Sequence, residues 1–206
     1  MAERWGPLTG VAFVALLVIS FIVAGDTPDT DEPAREILAY YNENDSEQIV
    51  SAIIGALAVV FFLFFNGRLR RVLRAAEGPA GGLSATAFAG GILIAVGGSI
   101  FSAIGFTLGE TAEDMGPEAA QTLHLMNDSF FFPLAIGVVT FTIAAGGSAI
   151  RTGALPAWLG WAALVIGIAA LTPIGFFAFL ASLLWVLVTS VLLALRAPEE
   201  AAAGPG

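Results

Sequence analysis

Long apolar stretches alternate with short polar ones along the chain, and this pattern predicts helices that cross a membrane. Six stretches have this character, and we assign spans to residues 8–24, 49–65, 84–108, 130–150, 156–172 and 176–195. A helix rises about 1.5 Å per residue, so about 20 residues cross a hydrocarbon core of about 30 Å. The sequence therefore predicts an all-α polytopic membrane protein, a six-helix bundle over residues 1–196 with a disordered cytoplasmic tail at 197–206.

The first apolar stretch has two interpretations. It runs unbroken from Leu8 to Ala24 behind Arg4, and residues 23–25 could serve as a signal-peptidase site. The stretch is longer than the core of a signal peptide, which has about 7 to 15 residues, and this favours a permanent span. Cleavage as a signal peptide is the alternative, and it would leave the other five spans in place.

The polar segment after the first span, residues 26–47, is acidic and has Pro28 and Pro33 near its start, so we interpret it as a loop outside the membrane. Four residues of this loop share one helical face: Ala34, Ile37, Leu38 and Tyr41. This spacing predicts a short amphipathic helix that lies on the membrane surface, with Tyr40 and Tyr41 near the lipid headgroups.

The third span is rich in small residues. Five of them recur at every fourth position, which at helical pitch stacks them near one face: Ala87, Gly91, Ala95, Ser99 and Ala103. Small residues let neighbouring helices approach closely in a membrane. We therefore predict a buried central span that packs against its neighbours through Gly91, Ala95, Ser99 and Ala103.

A polar helix is expected to lead into the fourth span. Pro117 is well placed to start it, because proline is favoured in the first turn of a helix. Pro133 lies further along the same stretch and has no N–H to donate. We therefore expect a bend between Asp128 and Pro133.

Composition agrees with a lipid environment and excludes several chemistries. Hydrophobic residues make up 57% of the chain and charged residues only 12%, whereas soluble domains have about 25% charged residues. The chain has no cysteine, so it can form no disulfide and no thiolate nucleophile. All eight basic residues are arginines, which excludes a lysine Schiff base and the lysine of a phosphate-binding loop.

The arginines predict the orientation in the membrane. Seven of the eight lie on the side predicted to hold both termini: Arg4, Arg68, Arg70, Arg71, Arg74, Arg151 and Arg196. The other side has Arg35 and thirteen of the seventeen acids. Positively charged loops stay in the cytoplasm, so both termini are predicted to be cytoplasmic. The net charge of -9 offers no broad basic face, so nucleic acid is not an expected partner.

The densest group of basic residues could bind anionic lipid headgroups. Arg68, Arg70, Arg71 and Arg74 lie within one short segment at the end of the second span. A basic residue near an anionic membrane surface contributes about 1 kcal/mol of attraction. The alternative role, setting the orientation of the chain, needs no bound lipid.

A possible outer polar site surrounds the only histidine. Four polar residues share one helical face near the outer membrane surface: Gln121, His124, Asn127 and Asp128. They could form a proton acceptor tuned by Asp128 or a weak cation site. The alternative is a solvated polar stripe, which we favour because one histidine without cysteine makes a poor transition-metal site. His124 and Asp128 could also serve Ser129, but no nucleophile elbow accompanies them.

No catalytic residue, metal or other cofactor is predicted, so our leading hypothesis is a helical bundle without enzymatic activity. It would act by packing against lipid or a membrane partner protein. The alternative is a passive channel or carrier for a small neutral or apolar solute, with a cavity lined by Ser99, Ser102 and Thr140. A membrane enzyme acting on lipid is the third hypothesis, and it would need polar groups converging at one membrane surface.

Several segments are together typical of a known family. They read EILAYYNEN, FFLFFNGRLRRVLRAAEG, HLMNDSFFFPLA and RTGALPAWLGWAAL, and they lie between Glu36 and Leu164. As a set they resemble a family of small six-span membrane proteins of GC-rich, actinobacterial-type bacteria, defined as a domain of unknown function. The resemblance implies a bacterial inner-membrane helical protein and implies no activity, so no catalytic residue follows from it.

Overall fold

The structure, a computed structural model, describes residues 8–79 and 81–203, and the regular elements in this part are helical. They are α1 (Thr9–Ala24), α2 (Ala34–Glu43), α3 (Asp45–Glu77), α4 (Leu83–Glu110), α5 (Pro117–Ser129), α6 (Phe131–Thr152), α7 (Ala157–Ala169) and α8 (Gly175–Ala203). A short 3₁₀ helix, Ala112–Asp114, joins α4 to α5. No strand occurs in the described residues, which confirms the prediction of an all-α fold.

In the part of the chain that the structure describes, four helical stretches are long and apolar enough to cross a membrane. They are α3, α4, the combined stretch of α5 and α6, and α8 as far as Arg196. Helices α1 and α7 are also apolar but have only 16 and 13 residues. Thirteen residues extend about 20 Å, which is less than the hydrocarbon core of a bilayer. The structure is therefore compatible with a membrane protein. By helix length alone, however, it supports four spans and not the predicted six.

Helix α3 is much longer than the span predicted at 49–65. It continues to Glu77 and ends where Gly78 adopts a positive φ of 72°. The arginine-rich segment is therefore part of a helix and not of a loop. The carboxylate of Glu77 accepts hydrogen bonds from the backbone N–H and the hydroxyl of Ser84, both at 2.9 Å. These bonds satisfy donors at the start of α4 and fix the hairpin between the two helices.

Glycines allow close contacts between helices α4 and α6. A Cβ on Gly90 of α4 would overlap the backbone of Phe141 of α6, and one on Gly137 of α6 would lie 2.8 Å from the backbone nitrogen of Ile94. Since position 90 pairs with 141 and position 94 with 137, α4 and α6 run antiparallel. The close approach depends on the missing side chains, as expected for helices that pack in a membrane.

The predicted stripe of small residues on α4 is buried over only part of its length. Ala87, Gly91 and Ala95 are buried, but Ser99 and Ala103 are exposed. A step of four residues turns a helix by about 400°, so the stripe rotates by about 40° at each step and leaves the interface. The prediction that Ser99 and Ala103 pack against neighbouring helices is therefore wrong.

An aromatic chain fills the centre of the bundle and includes α1. Phe13 of α1 packs on Phe62 of α3 with ring centroids 4.9 Å apart, and Phe62 packs on Phe141 at 5.9 Å. Phe141 meets Trp185 of α8 edge to face at 5.7 Å. The indole N–H of Trp185 donates to the backbone oxygen of Leu159 on α7 at 2.9 Å. The two short helices are thus attached to the same core as the long ones.

A cap covers one end of the bundle, and we define it as residues 26–43 and 112–129. The predicted amphipathic helix is present in it as α2, but Ile37 and Tyr41 are buried against Ile104, Leu108 and Ala120. Its apolar face therefore packs on α4 and α5 and is not free to lie on a membrane, contrary to the prediction.

The interruption expected before the fourth span is present. Helix α5 begins at Pro117 and ends at Ser129, and α6 begins at Phe131. Pro133 lies in the first turn of α6, where a backbone N–H would have no helical acceptor. At the other end of the chain, α8 continues to Ala203, into the segment predicted as a disordered tail. Arg4 and residues 204–206 lie outside the described residues.

Candidate functional site

His124 is a buried connection between the cap elements. Its Nδ1 lies 2.9 Å from the hydroxyl oxygen of Tyr41 on α2, and its Nε2 lies 3.2 Å from the backbone oxygen of Pro28. A carbonyl oxygen only accepts, so Nε2 carries the hydrogen in this arrangement. In the neutral imidazole Nδ1 then accepts the hydrogen of the Tyr41 hydroxyl. One side chain thus joins α5, α2 and the first loop.

The other three residues of the predicted polar site are not arranged around His124. Gln121 donates from Nε2 to the backbone oxygen of Glu32 at 3.4 Å, so it also holds the first loop. Asp128 is exposed, and Oδ1 of Asn127 is buried without a hydrogen-bond partner in the described part of the chain. In the described residues, the hydrogen-bond partners of His124 are therefore Tyr41 and Pro28, and Asp128 is not one of them.

Both interpretations of His124 need correction. Its side chain is only 6% exposed, so it is not part of a solvated stripe. The hydrogen of one ring nitrogen and the lone pair of the other are both used, which leaves no free lone pair for a cation. In the described residues, no three His, Cys, Asp or Glu residues lie close enough to hold a metal ion. The arrangement is suited to holding the cap closed.

A second polar connection, which the sequence analysis missed, joins the cap to the end of α1. The hydroxyl of Tyr40 donates to the backbone oxygen of Ala24 at 2.9 Å, and Nε2 of Gln48 donates to the same oxygen at 2.9 Å. This oxygen belongs to the last turn of α1, where carbonyls have no helical donor. Gln48 is a polar residue at the start of an apolar run, and this position was the feature of the sequence that could have indicated a buried hydrogen bond.

The cap environment shifts the acidity of three of its groups. Burial raises the pKa of Tyr41, so its hydroxyl stays protonated and able to donate to His124. Burial also raises the pKa of Tyr40, with a further contribution from the negative charge of Asp26. A hydrogen bond with Glu36 and the charge of that carboxylate raise the pKa of Glu32.

The opposite end of the bundle carries the arginines, and we call it the arginine end. Two guanidinium groups satisfy backbone oxygens there: Arg74 donates to Gly81 at 2.6 Å, and Arg196 donates to Ala154 at 2.9 Å. Arg70 lies over the ring of Phe88 with 4.7 Å between its guanidinium carbon and the ring centroid. These three arginines stabilise the fold as well as carrying charge.

Arg68 and Arg71 differ from the other members of the group. Arg71 is exposed, and Arg68 is half-buried with an Nε that is buried and has no acceptor in the described residues. Neither guanidinium group hydrogen-bonds to another described residue. Both groups therefore have donors available for a ligand.

The centre of the bundle is tightly packed. A cavity of about 10 Å³ lies between aromatic and aliphatic side chains from α1, α3, α4, α6 and α8, with Ser182 as the polar residue at its wall. Such a volume corresponds to about one water molecule. Ser99 is exposed, and the hydroxyl of Thr140 donates to the backbone oxygen of Ile136 in its own helix at 2.9 Å. Ser99, Ser102 and Thr140, which we expected to line the cavity of a carrier, do not line this cavity.

No protein-family model matches the chain, and no curated protein and no solved structure is detectably similar to it. The resemblance to the family of six-span bacterial proteins therefore stays a prediction.

Proposed function

We propose that this protein is an integral membrane protein of six membrane segments that has no enzymatic activity and acts by binding anionic lipid at its arginine end. The observation that carries the proposal is the combination of a tightly packed centre with an apolar exterior. The cavity at the centre of the bundle has a volume of only about 10 Å³, while large apolar side chains face outward on most helices, including Ile22, Phe64, Phe132, Ile168, Phe177 and Leu195. In water such a surface would drive aggregation, whereas lipid tails solvate it.

Two observations support counting α1 and α7 as membrane segments despite their length. The hydroxyl of Ser20 on α1 donates to the backbone oxygen of Ser51 at 2.9 Å, and Ser51 donates back to the oxygen of Ser20 at 3.0 Å. On α7, Trp158 and Trp161 are more than half exposed, as expected for aromatic residues at a membrane interface. Short helices can be accommodated by local thinning of the bilayer.

The distribution of charge supports a cytoplasmic arginine end. The hairpin between α3 and α4, the end of α6 and the end of α8 share this end, since Leu83 packs near Gly147 and Arg196 reaches Ala154. The cap carries the acidic loops at the other end. Arginine-rich segments are retained in the cytoplasm during insertion. The cap is then outside the cytoplasm.

Reporter fusions and reconstitution test this proposal together. A reporter inserted between Gly78 and Gly82 is expected to be active only as a cytoplasmic fusion, and one inserted near Ala112 only as an external fusion. Proteoliposomes containing the protein are expected to be no more permeable to glycerol than protein-free vesicles. Extraction of the protein by alkaline carbonate without detergent, an external Gly78 reporter, or protein-dependent glycerol flux would overturn the proposal.

A further inference from the structure

The arginine group on α3 consists of two pairs with different surroundings. Arg70 and Arg74 are used within the protein, by the ring of Phe88 and by the backbone oxygens of Gly81 and Pro79. Arg68 and Arg71 have no such partners in the described residues. We propose that Arg68 and Arg71 together bind the phosphate group of an anionic phospholipid. This inference rests on the proposed membrane location and orientation.

The spacing of the pair fits a single phosphate. Residues three apart in a helix are neighbours on its surface, so the two guanidinium groups can converge on one ligand. A guanidinium group forms paired hydrogen bonds with phosphate oxygens, and two such groups can share the negative charge of one phosphodiester. The Nε of Arg68 is enclosed by the protein, so a phosphate would be bound by the terminal N–H groups of the two side chains.

The residues that precede the pair indicate that the phosphate belongs to a lipid. Leu63 and Phe64 lie on the preceding turns of α3, and both are exposed, Phe64 by 66%. An apolar surface directly below a phosphate site matches the arrangement of acyl chain and headgroup in a phospholipid. A soluble phosphate ion has no apolar part that could contact these side chains.

The local charge favours an anionic ligand. Residues 49–76 of α3 contain no Asp or Glu, so no carboxylate of that stretch competes for the pair. Glu77 follows it, and its carboxylate is engaged by Ser84. Lipids with a net negative charge are therefore expected to bind more strongly than zwitterionic ones.

Lipid titration in nanodiscs tests the proposal. The full-length protein is placed in phosphatidylcholine nanodiscs, and binding of phosphatidylglycerol is measured by native mass spectrometry and by the rise in Tm. We expect Arg68→Gln and Arg71→Gln each to weaken binding by about tenfold, which corresponds to about 1.4 kcal/mol. Arg70→Gln and Arg74→Gln are the matched controls, because they remove the same charge from the same helix and should weaken binding much less.

Three outcomes would overturn the proposal. Equal losses in all four variants would mean that the arginines attract lipid only as a diffuse charge. Phosphatidylcholine has the same phosphate group but no net charge, so equal binding of this lipid would show that net negative charge plays no role. Stabilisation by inorganic phosphate in phosphatidylcholine nanodiscs would assign the pair to a soluble anion. Arg71 is exposed, so Arg71→Gln provides the test even if Arg68→Gln fails to fold. Failure of the proposed function would differ, because it would appear as an inverted reporter or as carbonate extraction.

Discussion

The side-chain amide of Asn66 lies directly on Gly91, where α3 packs against α4. Asn66 is 1% exposed, and its Nδ2 donates to the backbone oxygen of Phe88 at 3.1 Å. A Cβ on Gly91 would overlap the amide group. The absence of a side chain at position 91 therefore allows a buried polar residue to hydrogen-bond across two helices.

Replacing Gly91 should destabilise the bundle. The Cβ of Gly91→Ala has to displace a buried, hydrogen-bonded side chain, and overpacking of this kind costs about 1–3 kcal/mol. Gly67→Ala is the matched control, because a Cβ on Gly67 of α3 meets no other atom and alanine favours a helix by about 1 kcal/mol. We expect thermal unfolding in detergent to show a lower Tm for Gly91→Ala and an equal or higher Tm for Gly67→Ala. An unchanged Tm for Gly91→Ala would contradict the contact with Asn66.

The His124 connection should matter for the cap, while Asp128 should not. His124→Ala leaves the buried hydroxyl of Tyr41 without an acceptor, which costs about 1–3 kcal/mol. Asp128 is exposed, so Asp128→Asn should change the free energy of unfolding by less than about 0.5 kcal/mol. Hydrogen exchange of residues 26–43 measures the effect, and we expect faster exchange in His124→Ala only. Equal exchange in the two variants would show that His124 does not hold the cap.

Alkaline pH should weaken the cap through Tyr41. Burial raises its pKa above the ordinary value of 10.0, so the folded protein holds this proton more tightly than the unfolded chain. The resulting stability is complete below about pH 10 and is lost as pH rises further. We expect Tyr41→Phe to reduce the fall in Tm above this pH.

The chain has only two tyrosines, so the dependence of Tm on alkaline pH can be assigned to one hydroxyl or the other. The pKa of Tyr40 is also raised, so a weaker dependence on pH should persist in Tyr41→Phe and disappear in the variant that lacks both hydroxyls. Titration of phenolate absorbance in the same variants identifies the group that ionises. A wild-type Tm that is independent of pH above about 10 would contradict the burial of Tyr41.

Features determined by residues that are close in sequence were predicted well, whereas features determined by contacts between distant residues were not. The third span was predicted at 84–108 and is observed as Leu83–Glu110, because an apolar run of this length with turn residues before it specifies a helix locally. The break near Pro133 was equally local. The length of α3 was not determined by such a local signal, because its arginine-rich end is as compatible with a helix as with a loop.

Contacts between distant segments could not be read from the pattern. The apolar face of α2 fits a membrane surface as well as it fits a protein surface, and only the positions of Ile104 and Leu108 decide between them. The role of His124 depends on Pro28 and Tyr41, which are far from it in sequence. Asn66 gave a signal as a polar residue directly after an apolar run, but its partner on α4 could not be inferred.

The serine pair should attach α1 to α3. Ser20 and Ser51 each donate to the other's backbone oxygen, and their hydroxyl oxygens lie 3.1 Å apart. Hydroxyl bonds between membrane helices contribute about 0.6–2 kcal/mol. A double-mutant cycle with Ser20→Ala and Ser51→Ala should therefore give a favourable coupling energy of about that size in detergent unfolding.

Thr107→Ala provides the control for this cycle. Thr107 is exposed, and its hydroxyl donates to the oxygen of Ala103 in its own helix, so its removal should change stability by less than about 0.5 kcal/mol. A zero coupling energy between Ser20 and Ser51 would mean that α1 is held by its apolar contacts alone. A mature protein that lacks residues 8–24 would contradict the proposed first membrane segment, because Phe13 would then be missing from the aromatic core.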